Sequence, residues 1–133
     1  MSLVTVGKFY GPGSSSGGNV TAGALSQNAV NTAANPAIIV PAQAGMILRI
    51  YKLILTLGSG GSFPNTLTVQ DGAGVNFSGP MEFANTGGSI LLDNPLGSNG
   101  SIWYQTTLGY AFQFVNNGVI QISGTAYWTA LPT

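Results

Sequence analysis

From Pro36 onward, the chain is cut into short runs of apolar, β-branched and aromatic residues. Clusters of Gly, Pro, Asn and Asp separate these runs every roughly 8 to 12 residues. That spacing marks an all-β sandwich or barrel, and no segment carries the apolar period of a helix. Ala37 to Val40 is a short apolar strand between Pro36 and Pro41, and Met46 to Leu57 is the longest strand candidate. Thr66 to Asp71 alternates strictly, which puts Leu67 and Val69 on one face and Thr66, Thr68 and Gln70 on the other. Asp71-Gly72 opens a tight turn toward a strand at Val75 to Ser78, and Gly79-Pro80 then breaks the chain before Met81 and Phe83 turn inward around Glu82.

The second half repeats the grammar. Ile90 to Leu92, Ile102 to Thr106 and Tyr110 to Val115 are the next strands, the last with Tyr110, Phe112 and Phe114 on one face. Asn116-Asn117-Gly118 is the strongest hairpin signal, because Asn and Gly accept the positive φ of a primed turn. Val119 to Tyr127 returns from it with Ile120, Ile122, Ala126 and Trp128 on one face and Gln121, Ser123, Thr125 and Tyr127 on the other. The expected fold is all-β, a single jelly-roll-like β-sandwich of about eight strands with an extended N-terminal arm.

The long strand stands apart. Met46, Leu48, Ile50 and Ile54 alternate with Ile47, Tyr51, Leu53 and Leu55, so both faces read as apolar. A half-solvated sheet has one polar face, so two-sided burial predicts a cover over the outer face, from another chain or from the arm. Strict alternation also sends Arg49 and Lys52 to opposite faces, where each meets a carboxylate at a sheet edge, solvent, or a partner's Glu or Asp.

Residues 1–36 read as an arm or linker and residues 37–133 as the sandwich domain. Leu3, Val4 and Val6 form a short alternating piece, and Gly11 to Gly18 is a Gly/Ser linker. Ala22 to Ala34 is compatible with either a weak helix or extended structure. The arm is either disordered or ordered by contact with a neighbouring subunit. In the second case Leu3, Val4, Val6, Phe9 and Tyr10 anchor it.

Charge excludes several function classes. Lys8, Arg49, Lys52, Asp71, Glu82 and Asp93 are the only charged side chains among 133 residues, against about 33 expected of an ordinary domain. Three basic residues make no footprint for nucleic acid. The longest apolar segment, Gly45 to Leu57, is too short for a membrane helix, and no signal peptide is expected. Without His or Cys the commonest general base and the strongest nucleophile are missing, and the three carboxylates sit at turn edges or on a polar strand face. The expectation is therefore no enzyme, no metal and no cofactor. With 44% apolar residues and a formal net charge of zero, the chain is no disordered polymer either. Its composition is that of a protein packed against other subunits.

Among the aromatics, Trp103, Tyr104, Tyr127 and Trp128 fill either the core or an interface, or they stack on sugar rings. Neighbours on a strand point opposite ways, so one of each adjacent pair is core. Trp103, Tyr104 and Tyr127 are the candidates for glycan stacking.

The segment from Arg49 to Tyr127, about 60% of the chain, resembles the small β-rich virion proteins of tailed bacteriophages, in particular single-jelly-roll capsid decoration (cement) proteins. The matching stretches are Ile50-Tyr51-Lys52-Leu53, Thr68-Val69-Gln70-Asp71-Gly72 and Ser78-Gly79-Pro80 ahead of Met81. Further along come Trp103-Tyr104-Gln105-Thr106-Thr107-Leu108-Gly109-Tyr110-Ala111-Phe112 and Ile122-Ser123-Gly124-Thr125-Ala126-Tyr127. The resemblance implies a homotrimer, assembled in the host cytoplasm and seated on the capsid surface of the virion, where it bridges major capsid proteins. Arg49, Tyr51 and Lys52 of the long strand then join the arm residues at the subunit or capsid contact. The alternative is the glycan-binding head of a tail fibre or spike.

Overall fold

The two longest strands, β3 (Met46–Leu57) and β9 (Ile122–Pro132), pair antiparallel along almost their whole length and form the spine of the molecule. The computed structural model describes residues 23–58, 63–93 and 102–132. Among them are nine strands and no helix, hence none that could cross a membrane. β1 (Ser26–Thr32) pairs with the other side of β9, while β6 (Ser89–Leu92) and β7 (Tyr104–Gln105) share the far edge of β3. The second sheet runs β2 (Ala37–Val40), β8 (Phe112–Asn116), β4 (Asn65–Asp71), β5 (Met81–Phe83). All pairings are antiparallel, and the chain changes sheet at six of its eight connections, giving a jelly-roll-like sandwich.

The core forms where the two inner faces meet. Leu48, Ile50, Leu53, Leu55, Leu57, Ala126 and Trp128 of the first sheet face Ile39, Val40, Leu67, Val69, Phe112 and Phe114 of the second. Each large side chain contributes about 1.5–3 kcal/mol on burial. One polar group crosses this interior: Asn28 on β1 donates from Nδ2 to the Ile39 carbonyl (3.0 Å) and accepts from Trp128 Nε1 (2.6 Å). The amide thereby satisfies the indole N–H and joins the two sheets.

Four expectations need correction. First, the ladder between β3 and β9 slips at Tyr51, an extra residue between the pairs Ile50↔Trp128 and Lys52↔Tyr127. This bulge reverses the side-chain phase. Leu48 and Ile50 point inward before it, Leu53, Leu55 and Leu57 after it, so the inner face of β3 is wholly apolar and the outer face mixes Ile47 and Ile54 with Arg49, Lys52 and Thr56. Arg49 and Lys52 consequently share the outer face instead of opposing each other. Second, the sandwich begins before residue 37. β1 lies inside the expected arm, its Ser26, Asn28 and Val30 buried against the core. The Asn- and Ala-rich composition carries little strand propensity, and pairing with β9 supplies what propensity does not.

Third, Asn116-Asn117-Gly118 is a crossover rather than a hairpin, since β8 and β9 belong to different sheets. The two Asn side chains serve the turn instead: Asn116 Oδ1 accepts from the Gly118 N–H (3.1 Å), and Asn117 Oδ1 from the Thr66 N–H (3.0 Å). Fourth, two strands shrink. Val75 to Ser78 contributes only an isolated bridge from Asn76 to Gln70, and Ile102 to Thr106 only β7. Tyr110 lies before β8 and is 44% exposed, away from Phe112 and Phe114.

Candidate functional site

The bulge at Tyr51 decides what the first sheet presents to the outside. Because β3 changes phase there, Arg49, Lys52, Ile54 and Thr56 all face outward, opposite Thr129, Tyr127, Thr125 and Ser123 of β9. Across the other edge Ile54 pairs with Leu91 of β6, and Arg49 with Gln105 of β7. Tyr51 itself reaches back over β9, its hydroxyl accepting from Thr129 Oγ1 (3.4 Å). Arg49, Tyr51 and Lys52, singled out in the sequence, thus lie on one surface.

The polar groups of this face are partnered within the chain. Arg49 Nε donates to Gln105 Oε1 (3.0 Å). Lys52 Nζ lies 3.5 Å from the Asp93 carboxylate and 5.6 Å from the centre of the Tyr127 ring. The pair is solvent-exposed, so it adds little to stability, but it holds Lys52 flat over the aromatic. Beside these polar groups two large apolar side chains are also left exposed. Ile54 is 41% exposed and its neighbour Leu91 65%, side by side across the β3–β6 ladder.

The two aromatic pairs divide between core and surface, Tyr127 and Trp128 by alternation along β9 and Trp103 by a bend just before β7. Tyr104 turns inward and stacks between Phe77 (5.3 Å) and Phe112 (5.5 Å), and burial pushes its phenol pKa up. It therefore leaves the set available for sugar stacking. Trp103 donates its backbone N–H to the Ile50 carbonyl (2.8 Å), which fixes it beside the bulge, with its side chain 45% exposed. Trp128 is core, and Tyr127 is outer and half-buried beneath Lys52. Leu3, Val4, Val6, Phe9 and Tyr10 lie outside the described residues.

The carboxylates offer a different chemistry. Asp71 is fully buried at the end of β4, where Oδ1 accepts from the N–H groups of Ala73 (2.9 Å) and Val75 (3.0 Å). Oδ2 accepts from the N–H (2.8 Å) and the hydroxyl (2.6 Å) of Thr107, just beyond β7. Burial raises its pKa, but the bonds from Thr107, Val75 and Ala73 outweigh burial and hold the carboxyl below the ordinary 3.8. With four donors on two oxygens, Asp71 is a clamp between the ends of the two sheets. Glu82 is exposed on β5 and Asp93 is engaged by Lys52. Among the described residues no three His, Cys, Asp or Glu side chains converge as a metal site would need.

Sequence reasoning missed the pairing of Ile54 with Leu91. On strict alternation Ile54 shares a face with Leu48 and Ile50, and nothing in the residue string marks the bulge that turns it outward. No protein-family model, curated protein or solved structure matches the chain.

Proposed function

We propose that the protein is a non-enzymatic structural component of a virion, a capsid decoration protein that oligomerises as a homotrimer and bridges major capsid proteins at the capsid surface. The observation that carries this reading is the outer face of the first sheet. There the exposed pair Ile54 and Leu91 lies beside Tyr127 and the Lys52–Asp93 ion pair, with Arg49, Tyr51 and Trp103 further along β3 and its neighbours. Protein interfaces are enriched in Tyr, Trp and Arg, and this face supplies Tyr51, Tyr127, Trp103 and Arg49, while the charges of Lys52 and Asp93 beside the apolar pair neutralise each other. The charge scarcity of the whole chain supports the same reading, because many neutral copies can be held close without mutual repulsion. Burial of β3 on both faces does not add to this reading, because the bulge at Tyr51 turns Arg49, Lys52 and Thr56 outward together.

The test compares capsids with and without the protein. A cement raises the temperature at which capsids open, and substituting Leu91→Asp lowers occupancy on them. Trp103 favours a second reading, the glycan-binding head of a tail fibre or spike, because a large, exposed indole beside Arg49 and Gln105 suits a sugar ring. In that reading capsid stability is indifferent to the protein, and saturable binding to cells or glycans is lost on Trp103→Ala.

A further inference from the structure

A sandwich of two open sheets has four edges, and three of them are blunted. β5 is three residues long, carries Glu82 at its centre and follows Pro80. β2 lies between Pro36 and Pro41 and slips register between Ile38 and Val40. The far edge of β3 is divided between the short strands β6 and β7, with the Lys52–Asp93 ion pair at the end of β6. Short strands, prolines, bulges and charges are the devices that stop a sheet from recruiting another strand.

β1 has none of them. Ser26 to Thr32 is seven residues long, has no proline and no charge, and keeps an unbroken register against β9. Among the described residues no strand pairs with its other side. Its outward side chains are Gln27, Ala29 and Asn31, with Ala29 and Asn31 exposed. Asn31 Oδ1 accepts from Nε2 of Gln121, just before β9, and from Ser123 Oγ of β9, which among the described residues leaves the Nδ2 donor of Asn31 for a group beyond the edge.

We propose that this edge docks a second copy of the chain, β1 against the partner's β1, antiparallel and centred on Ala29. That register is self-complementary. Ala29 opposes the partner's Ala29, so the closest point of approach carries only methyl groups. Gln27 opposes the partner's Asn31, which matches an amide carbonyl to the spare Nδ2 donor, and the pair occurs twice by symmetry. The first sheet then runs continuously through both molecules. The contact is two-fold, so it is distinct from the three-fold contact proposed above and does not rest on the virion reading; where both exist, it links trimers edge to edge.

Position 29 faces its own symmetry mate, which makes the test specific. Cysteine is absent from the native chain, so Ala29→Cys offers one sulfur per molecule. Paired strands hold opposed Cα atoms about 4.5–5.5 Å apart, within disulfide range. Mild oxidation is expected to cross-link Ala29→Cys to completion, and Thr56→Cys, outward on β3 but away from the edge, far less. By sedimentation, Ala29→Lys and Ala29→Asp should each weaken the self-association by about tenfold or more, because like charges are forced opposite one another. An equimolar mixture of the two should restore it. Equal cross-linking at positions 29 and 56, or a mixture no better than either variant alone, overturns the edge contact. A mass that falls with Leu91→Asp but not with Ala29→Lys overturns it too, while leaving the virion reading standing.

Discussion

The two outer faces of this sandwich are built from similar residues to opposite effect. On the second sheet, polar side chains bond one another in a row across neighbouring strands: Gln113 Nε2 donates to Gln70 Oε1 (2.8 Å), and Gln70 Nε2 donates to Asn76 Oδ1 (2.8 Å). Gln113 is buried despite facing outward, and Ile38 at the edge is the one large apolar side chain of that sheet's strands left exposed. On the first sheet Arg49 and Lys52 are also paired, but Ile54, Leu91 and Trp103 are left exposed among the described residues. A face whose hydrogen bonds close on themselves has little to gain from a partner. A face that satisfies its charges and leaves its apolar atoms wet gains from every one it buries. On the proposed reading, this contrast makes the first sheet the side that meets another molecule, and the variants below test that assignment.

The largest expected effect attacks the frame that holds both faces. Gly124 lies in β9 with φ +147°, and a Cβ there would sit 1.8 Å from the Ile54 carbonyl oxygen. Gly124→Ala must therefore separate β9 from β3 next to the exposed Ile54. The expected loss exceeds about 4 kcal/mol in chemical denaturation, the range reserved for disrupted backbone packing.

Asp71→Asn comes next. It exchanges an anion held by four donors for an amide that turns a donor of its own toward them, for an expected loss of about 3 kcal/mol. The pH dependence has a fixed sign. The unfolded carboxyl titrates near its ordinary 3.8 and the folded one lower, so the Asp71 contribution is complete above that value. It is lost as pH falls through the folded-state pKa. Denaturation midpoints of the native chain should hold steady at pH 5 and above (roughly) and drop in stronger acid, and the Asn variant should lose much of that acid sensitivity.

Between the sheets, Asn28→Ala strands the Trp128 indole N–H and the Ile39 carbonyl, at about 2 kcal/mol. Smallest in stability, and most telling, is a pair of surface changes. Leu91→Asp should alter the unfolding free energy by about 0.5 kcal/mol or less while reducing association, and Gln70→Ala should cost about 0.5–1 kcal/mol while leaving association intact. If Gln70→Ala impaired assembly and Leu91→Asp did not, the roles of the two faces would be reversed.

Much of this could be read from residue order. The all-β class, the placement of Leu67 and Val69, and the inward set Ile120, Ile122, Ala126 and Trp128 follow from a period of two, which is a local property. The turn at Asp71 is equally local, because the aspartate bonds its own neighbours. What escaped was set at long range. The bulge at Tyr51 exists only in relation to β9, and with apolar residues on both sides of it the string of β3 reads equally well in either phase. β1 is a strand because β9 offers it a ladder, not because Asn and Ala favour one. Whether Asn116-Asn117-Gly118 returns within a sheet or crosses to the other depends on which neighbours β8 and β9 find, and an Asn-Gly signal does not carry that.

Sedimentation equilibrium of the native chain beside Leu91→Asp decides whether the outer face of the first sheet is the assembly surface proposed for it. The expected native mass is a multiple of 13.6 kDa and that of Leu91→Asp is lower, with the two unfolding free energies matching when both are compared as dilute monomers. A native chain that stays at 13.6 kDa at every concentration, or a Leu91→Asp chain that keeps the native mass, would contradict it.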